Sequence, residues 1–159
     1  MIPLGLNTEH HAVPDRFVSF LYNQGGALVE WYRDTFAAAE HKAAQARGKN
    51  TYPALFAEMP DQPGDVLVLP HFAPTGPPRF IADSCGKISG LRLETTRGEI
   101  LRGIVEGVTF YLKDLVDSFE SIGGSITDYR AVGGGSQSDA WVQISADILG
   151  KPMIRPKST

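Results

Sequence analysis

Cysteine is nearly missing from this chain. Cys85 stands alone, so no internal disulfide can form, and a lone thiol suits a reducing cytoplasm. No apolar run approaches the roughly 18 residues that a membrane span needs. The opening stretch from Met1 to His11 has no basic segment followed by an apolar one, so it does not read as a signal peptide. Lys and Arg form no block and the formal net charge is −3, which removes the electrostatic footprint of a nucleic-acid binder. The common phosphate fingerprints are missing too: neither G-x-x-x-x-G-K-[S/T] nor G-x-G-x-x-G occurs. Histidine is sparse. His10 and His11 are adjacent, so their side chains diverge in any regular structure, while His41 and His71 are isolated, and no metal site is expected from them.

What is present is globular. Hydrophobic residues make up 42% of the chain and charged residues 21%, well inside the range of a folded domain. The 159 residues fit one domain better than two. Residues 1–14 read as an irregular lead-in, because Pro3, Gly5, Asn7 and Pro14 break any periodicity. Arg16 to Tyr22 is rich in aromatic and β-branched residues and predicts a strand. After Asn23-Gln24-Gly25-Gly26, the spacing of Ala27, Leu28, Trp31, Tyr32 and Phe36 predicts a helix, which residues 37–50 can extend. A short helix is expected over Tyr52–Met59, with Thr51 as its N-cap. Val66–Leu69 has the all-apolar character of a buried strand, and Ile88–Leu93 can form another. Between them, the prolines and glycines of Pro70–Gly86 demand a long ordered loop.

The clearest element starts at Thr96-Arg97-Gly98-Glu99, a capping box in which threonine and glutamate satisfy orphan backbone donors reciprocally. An apolar face follows through Ile100, Leu101, Ile104, Val105, Val108, Leu112, Leu115, Val116 and Phe119, and Gly123-Gly124 ends the helix. Gly103 and Gly107, four apart, are expected to admit a close neighbour. Ile126–Val132 predicts a strand, and a last helix follows with a polar stripe at Asp139, Gln143 and Asp147. Gly150 closes it. Strands alternating with helices give an α/β domain with a mixed sheet.

The strongest chemical feature is Gly133-Gly134-Gly135 between a strand and a helix. Bare backbone at a helix N-terminus lets a flat or anionic ligand approach, and free N–H groups favour phosphate. Taken by itself, the triad is equally consistent with plain turn geometry.

The stretch from Arg130 to Pro152, R-A-V-G-G-G-S-Q-S-D-A-W-V-Q-I-S-A-D-I-L-G-K-P, resembles the second signature region of the FGGY carbohydrate kinases. The resemblance reaches back through Thr95-Thr96-Arg97-Gly98-Glu99, Glu106-Gly107, the loop His71–Arg79, and Asn23-Gln24-Gly25-Gly26 with Trp31. It implies an actin-like, ribonuclease-H-like ATPase fold, with residues 1–159 as part of the C-terminal, nucleotide-binding domain, incomplete at both ends. It implies ATP and Mg²⁺ as cofactors, ATP or ADP and a sugar as partners, and transfer of the γ-phosphoryl group to a sugar hydroxyl. By position, Gly133, Gly134 and Gly135 would line the adenosine pocket with Gln137 and Ser138, the latter as a polar adenine contact. Gly26 and Glu30 would face them from the opposing helix, Glu30 standing where glycerol kinases carry glutamine. No catalytic residue is assigned: the general base and the sugar-reading residues belong to the family's N-terminal domain. Asp83, Asp114 and Asp117 are better explained by a loop and a solvated helix face. The isolated chain is therefore expected to be inactive. The alternative is a non-catalytic nucleotide-binding or interaction module. Val66–Leu69 and the apolar helix Ala140–Leu149 need cover, so a cytoplasmic homo-oligomer is expected.

Overall fold

In the computed structural model the described residues are 7–20, 23–76, 81–121 and 123–157. Residues 1–6 of the lead-in, the last two residues of the expected strand (Leu21 and Tyr22), and residues 77–80 of the loop lie outside them. The remaining elements are β1 (Asn7–His10), β2 (Phe17–Phe20), α1 (Gly25–Phe36), α2 (Ala38–Gln45), α3 (Tyr52–Phe56), β3 (Leu67–Leu69), β4 (Lys87–Ser89), α4 (Arg97–Ser121), β5 (Tyr129–Arg130), α5 (Asp139–Leu149) and β6 (Met153–Ile154).

Strands pair in both senses, distributed over three two-stranded ladders among the described residues. β1 and β2 form an antiparallel hairpin with Asn7 opposite Phe20 and His10 opposite Phe17. β3 pairs antiparallel with β4, Val68 opposite Ile88. β5 and β6 are parallel, Tyr129 opposite Met153, and parallel neighbours need a crossover, which α5 supplies.

The core is built on α4. From Leu101 to Thr109 every residue is buried, because β3, α5, α1 and α3 all pack along this stretch. Leu28, Val29 and Tyr32 of α1, Leu55 of α3, Val66 just before β3, Val68 within it, and Ile144 of α5 close on Leu101, Ile104, Val105 and Val108. Side chains as fully buried as Leu101 and Ile104 are worth about 2 kcal/mol each in transfer free energy. The buried face also holds one charged pair: Arg102 donates to Glu106 at 2.7 Å and to the Pro60 carbonyl at 2.7 Å. That satisfies an arginine which would be costly to bury alone.

The start of α4 is a capping box as expected. The Thr96 amide and hydroxyl donate to Glu99 Oε2 at 2.7 and 2.8 Å, and the Glu99 amide returns a bond to Thr96 Oγ1 at 3.3 Å. Arg97 then ties three helices together, donating to both carboxylate oxygens of Glu58, to Glu40, and to the Phe36 carbonyl. These bonds push the guanidinium pKa up, Glu58 contributing most. At the far end, Gly123 takes φ +92° and Gly124 donates to the Phe119 carbonyl, closing the helix.

Several expectations need correction. The lead-in is not irregular over 7–10: polar Asn7–His10 forms β1, a strand made by pairing rather than by its own pattern. Within the described residues the strand expected from Arg16 begins at Phe17, and the four residues of β2 are all exposed. Ala27, Trp31 and Phe36 of α1 face outward; Trp31 instead rings with Phe72 of the loop, centroids 4.8 Å apart. The helix breaks at Ala37 (φ −140°), so α2 is separate. Thr51 does not cap α3: its hydroxyl meets His41 Nδ1, while Asn50 Oδ1 accepts from the Tyr52 amide. Val66–Leu69 is buried only at alternate residues, leaving Leu67 61% and Leu69 49% exposed. β4 and the expected strand over Ile126–Val132 are shorter than predicted, and β6 was not anticipated. α5 is less enclosed than expected, with only Ile144, Ser145 and Leu149 fully buried.

Candidate functional site

Two backbone segments approach the side chain of Trp141. The first is the entry to α1. Asn23 Oδ1 accepts from the Gly25 amide at 2.9 Å, and Asn23 Nδ2 donates to the Val108 carbonyl at 3.3 Å. One asparagine thus turns the chain into α1 and pins that turn to α4. A Cβ on Gly25 would lie 2.7 Å from Val108 Cγ1, so a side chain here would force Val108 to move. Gly26 and Glu30 follow one turn apart on the exposed side of α1.

The second segment is the glycine turn between β5 and α5. Gly133 adopts φ 83°, ψ −170°, a conformation essentially reserved for glycine. Gly134–Gln137 then makes a single 3₁₀ turn. Buried Ser136 locks it, its hydroxyl donating to the Gly133 carbonyl at 2.7 Å and its amide to the same oxygen at 3.2 Å. Ser138 accepts from the Trp141 amide at 3.2 Å and so is the N-cap of α5. Gln137 is exposed.

The fold brings the entry of α1 and the glycine turn to opposite sides of one side chain. Cβ atoms built on Gly25 and Gly135 would lie 3.4 and 3.3 Å from the indole of Trp141. On Gly26, Gly133 and Gly134 a Cβ would meet nothing within 4 Å, so bare backbone there faces open space. Asn23, Gly25, Ser136 and Trp141 lie in the stretches that carry the family resemblance, but none was assigned to the site from the sequence. An Asn two residues ahead of a glycine at a helix start is a turn signal that points to Asn23, and nothing local marks Trp141.

The groups with shifted pKa values lie elsewhere. Burial pushes the Tyr32 phenol up to about 12, partly offset by Arg97. The side-chain bond from Lys151 lowers the pKa of Glu120 at the end of α4. Of the carboxylates weighed from the sequence, Asp117 pairs with Lys113, the Asp114 carbonyl accepts from Ser118, and Asp83 sits exposed in a turn. His41 is engaged with Thr51, and His71 stacks edge-on against Tyr111 at 5.1 Å. A cavity of about 600 Å³ opens between β3, α4 and loop residues 70–76 and 81–85; none of the glycine-turn residues lines it.

The model of the FGGY family of carbohydrate kinases, C-terminal domain, matches residues 5–159. A glycerol kinase from Aromatoleum aromaticum is 37% identical over 134 residues, covering 84% of this chain and 25% of that protein. One from Leptothrix cholodnii is 33% identical over 138 residues, covering 84% and 26%. The chain spans about a quarter of the length of the curated relatives it matches. Among solved structures, a xylulose kinase from Brucella ovis superposes with TM-score 0.76 at 26% identity, over 99% of this chain and 31% of that one. A xylulose kinase from Rhodospirillum rubrum gives 0.73 at 26%, over 96% and 30%. A Plasmodium falciparum glycerol kinase solved with ADP shares the fold at TM-score 0.66 and 22% identity, over 89% and 26%. The fold of these neighbours, and of this chain, is the actin-like ATPase fold.

Proposed function

The chain belongs to the FGGY family of carbohydrate kinases, and we propose that it supplies the adenosine side of the ATP site in an ATP-dependent sugar kinase. The observation that carries this reading is the open bare backbone at Gly26, Gly133 and Gly134. Without side chains there, a flat ring can lie against the peptide planes and reach their N–H groups. Gly134 and Gly135 form the wall beneath the adenosine, Gln137 and Ser138 flank it, and Gly26 and Glu30 face it from α1. Ser138 Oγ already accepts from Trp141, which leaves its hydroxyl proton to donate to a ring nitrogen. ATP supplies the phosphoryl group for transfer to a sugar hydroxyl, a reaction in which the protein mainly positions and neutralises charge. Among the described residues no three His, Cys, Asp or Glu side chains group as a metal site. Mg²⁺ therefore fits here as a companion of the nucleotide phosphates, its usual mode of binding.

The test is an ADP titration of the chain followed by NMR. One wall of contacts should give binding near millimolar, about −4 kcal/mol, with shifts at the Gly133–Gly135 amides. Gly134→Val puts a branched side chain into that space and should abolish the shifts; unchanged binding places the nucleotide elsewhere. In a coupled assay with glycerol and pentuloses the chain alone should release no sugar-dependent ADP.

A second reading, an interaction module, is favoured by one observation. Leu67, Leu69, Ile81 and Phe110 are 42–61% exposed around the 600 Å³ cavity, and contiguous exposed apolar surface marks an interface. Light scattering should then report a dimer or larger species, which Leu67→Glu with Leu69→Glu should dissociate. A stable monomer at high concentration would remove this reading.

A further inference from the structure

We propose that Trp141 is a positioning residue for the nucleotide: its six-membered ring is the spacer that fixes the distance between the first turn of α1 and the glycine turn. The inference rests on the reading of that turn as an adenosine site. Its grounds are the atoms the ring presents to either side. Toward α1 the nearest ring atom to a Gly25 Cβ is Cζ2, at 3.4 Å; toward the turn the nearest to a Gly135 Cβ are Cζ3 and Cε3, at 3.3 and 3.4 Å. Cζ2 is meta to Cζ3 and para to Cε3, so the two segments meet different edges of the six-membered ring. Neither Gly25 nor Gly135 carries a side chain, which leaves the ring to set the gap between them. Phe56 braces the indole at 5.9 Å between centroids, and the Trp141 amide is bound to Ser138 Oγ. Ring, cap and turn therefore move as one piece. The open glycines lie just outside this sandwich: Gly26 follows Gly25, and Gly133 and Gly134 precede Gly135. A narrower spacer brings the two walls together, and a collapsed cleft no longer fits a flat ring between them.

The chain has two tryptophans, so Trp31→Phe leaves Trp141 as the sole indole emitter, and ADP is titrated into that background. The expected result is a change in Trp141 emission on saturation, together with ADP-induced shifts at the Gly134 amide. Trp141→Leu should weaken ADP binding by about tenfold or more, while Trp141→Phe, which keeps an aromatic ring, should stay within about threefold. Gly135→Ala gives a second arm that does not depend on removing the indole. Its methyl points at the ring from 3.3 Å, so it should push the turn outward and weaken ADP binding. Adding Trp141→Phe to the same chain should recover that loss, which relief of a direct clash with the ligand would not do. Undiminished ADP binding by Trp141→Leu, or no recovery in the double variant, overturns the spacer role while the adenosine reading stands. No response of the unsubstituted chain to ADP, in either emission or amide shifts, overturns both.

Discussion

Glycine does opposite work in two regions of this molecule. Where α4 crosses β3, a Cβ on Gly107 would sit 2.1 Å from the Val68 carbonyl oxygen, and one on Gly103 would sit 2.8 Å from that of Val66. Those glycines are bare so that a strand can lie against a helix, and the space they spare is full. At the turn before α5, Gly133 and Gly134 would meet nothing within 4 Å, and the space they spare is empty. Filled space is explained by the protein itself. Empty space beside a rigid turn is what a ligand can use. The contrast separates a glycine that packs from a glycine that leaves its space open, though both stand in glycine-rich sequence.

Substitution should separate them too. Gly107→Ala would cost the most. Alanine favours a helix over glycine by about 1 kcal/mol, but a methyl 2.1 Å from a backbone oxygen forces β3 off α4. Overpacking against backbone should win, for a net loss of about 3 kcal/mol or more in urea denaturation. A variant as stable as the parent would mean the seam is looser than its contacts indicate. Gly133→Ala comes next, at about 1–2 kcal/mol, since φ 83° with ψ −170° strains any residue with a Cβ even in open space. Gly134→Ala should change stability by no more than about 0.5 kcal/mol. If all three cost the same, the distinction between full and empty space fails.

The sequence made one of these regions far more legible than the other. α4 was readable because its signals are local: Thr96 and Glu99 three apart, apolar residues at helical spacing, and Gly123-Gly124 at the close. Gly103 and Gly107 were read as packing positions, and β3 does press on them. The strands were harder, since a strand's partner lies elsewhere in the chain. Asn7–His10 has no apolar alternation, and it is a strand because Phe17–Phe20 runs beside it. Met153–Ile154 is too short to show a period and exists through its pairing with Tyr129–Arg130. The same limit applies to the site. The glycine turn is visible in a string of letters, but its meeting with Gly25 across Trp141 depends on how α1 and α5 both dock on α4. Family resemblance pointed to the Gly26 and Glu30 side of the site, and the residue that joins the two sides was left out.

The smallest expected effect contrasts how the two regions are capped. α4 starts from a carboxylate cap and α5 from a hydroxyl cap. The Thr96 amide, and after it the Thr96 hydroxyl, hold the Glu99 carboxyl below its ordinary pKa. A group with a depressed folded pKa contributes stability above its unfolded pKa, ordinarily about 4.3 for glutamate. That contribution is lost as the pH falls through the folded value. Ser138, which accepts from the Trp141 amide at the start of α5, has no proton to gain in that range. Acidification should therefore loosen the first turn of α4 while leaving the cap bond of α5 in place. Amide hydrogen exchange on the folded chain between pH 6 and pH 3 reads this directly, as falling protection at Thr96 beside steady protection at Trp141. Other depressed carboxylates, such as Glu40 bound to Arg97, also protonate over this span, so Glu99→Gln supplies the control. Glutamine keeps a side-chain oxygen at this capping position but does not titrate. In that variant the Thr96 amide should lose its extra pH dependence and follow the rest of α4. An identical Thr96 profile in parent and variant would mean that the carboxylate contributes nothing to the cap beyond its oxygen.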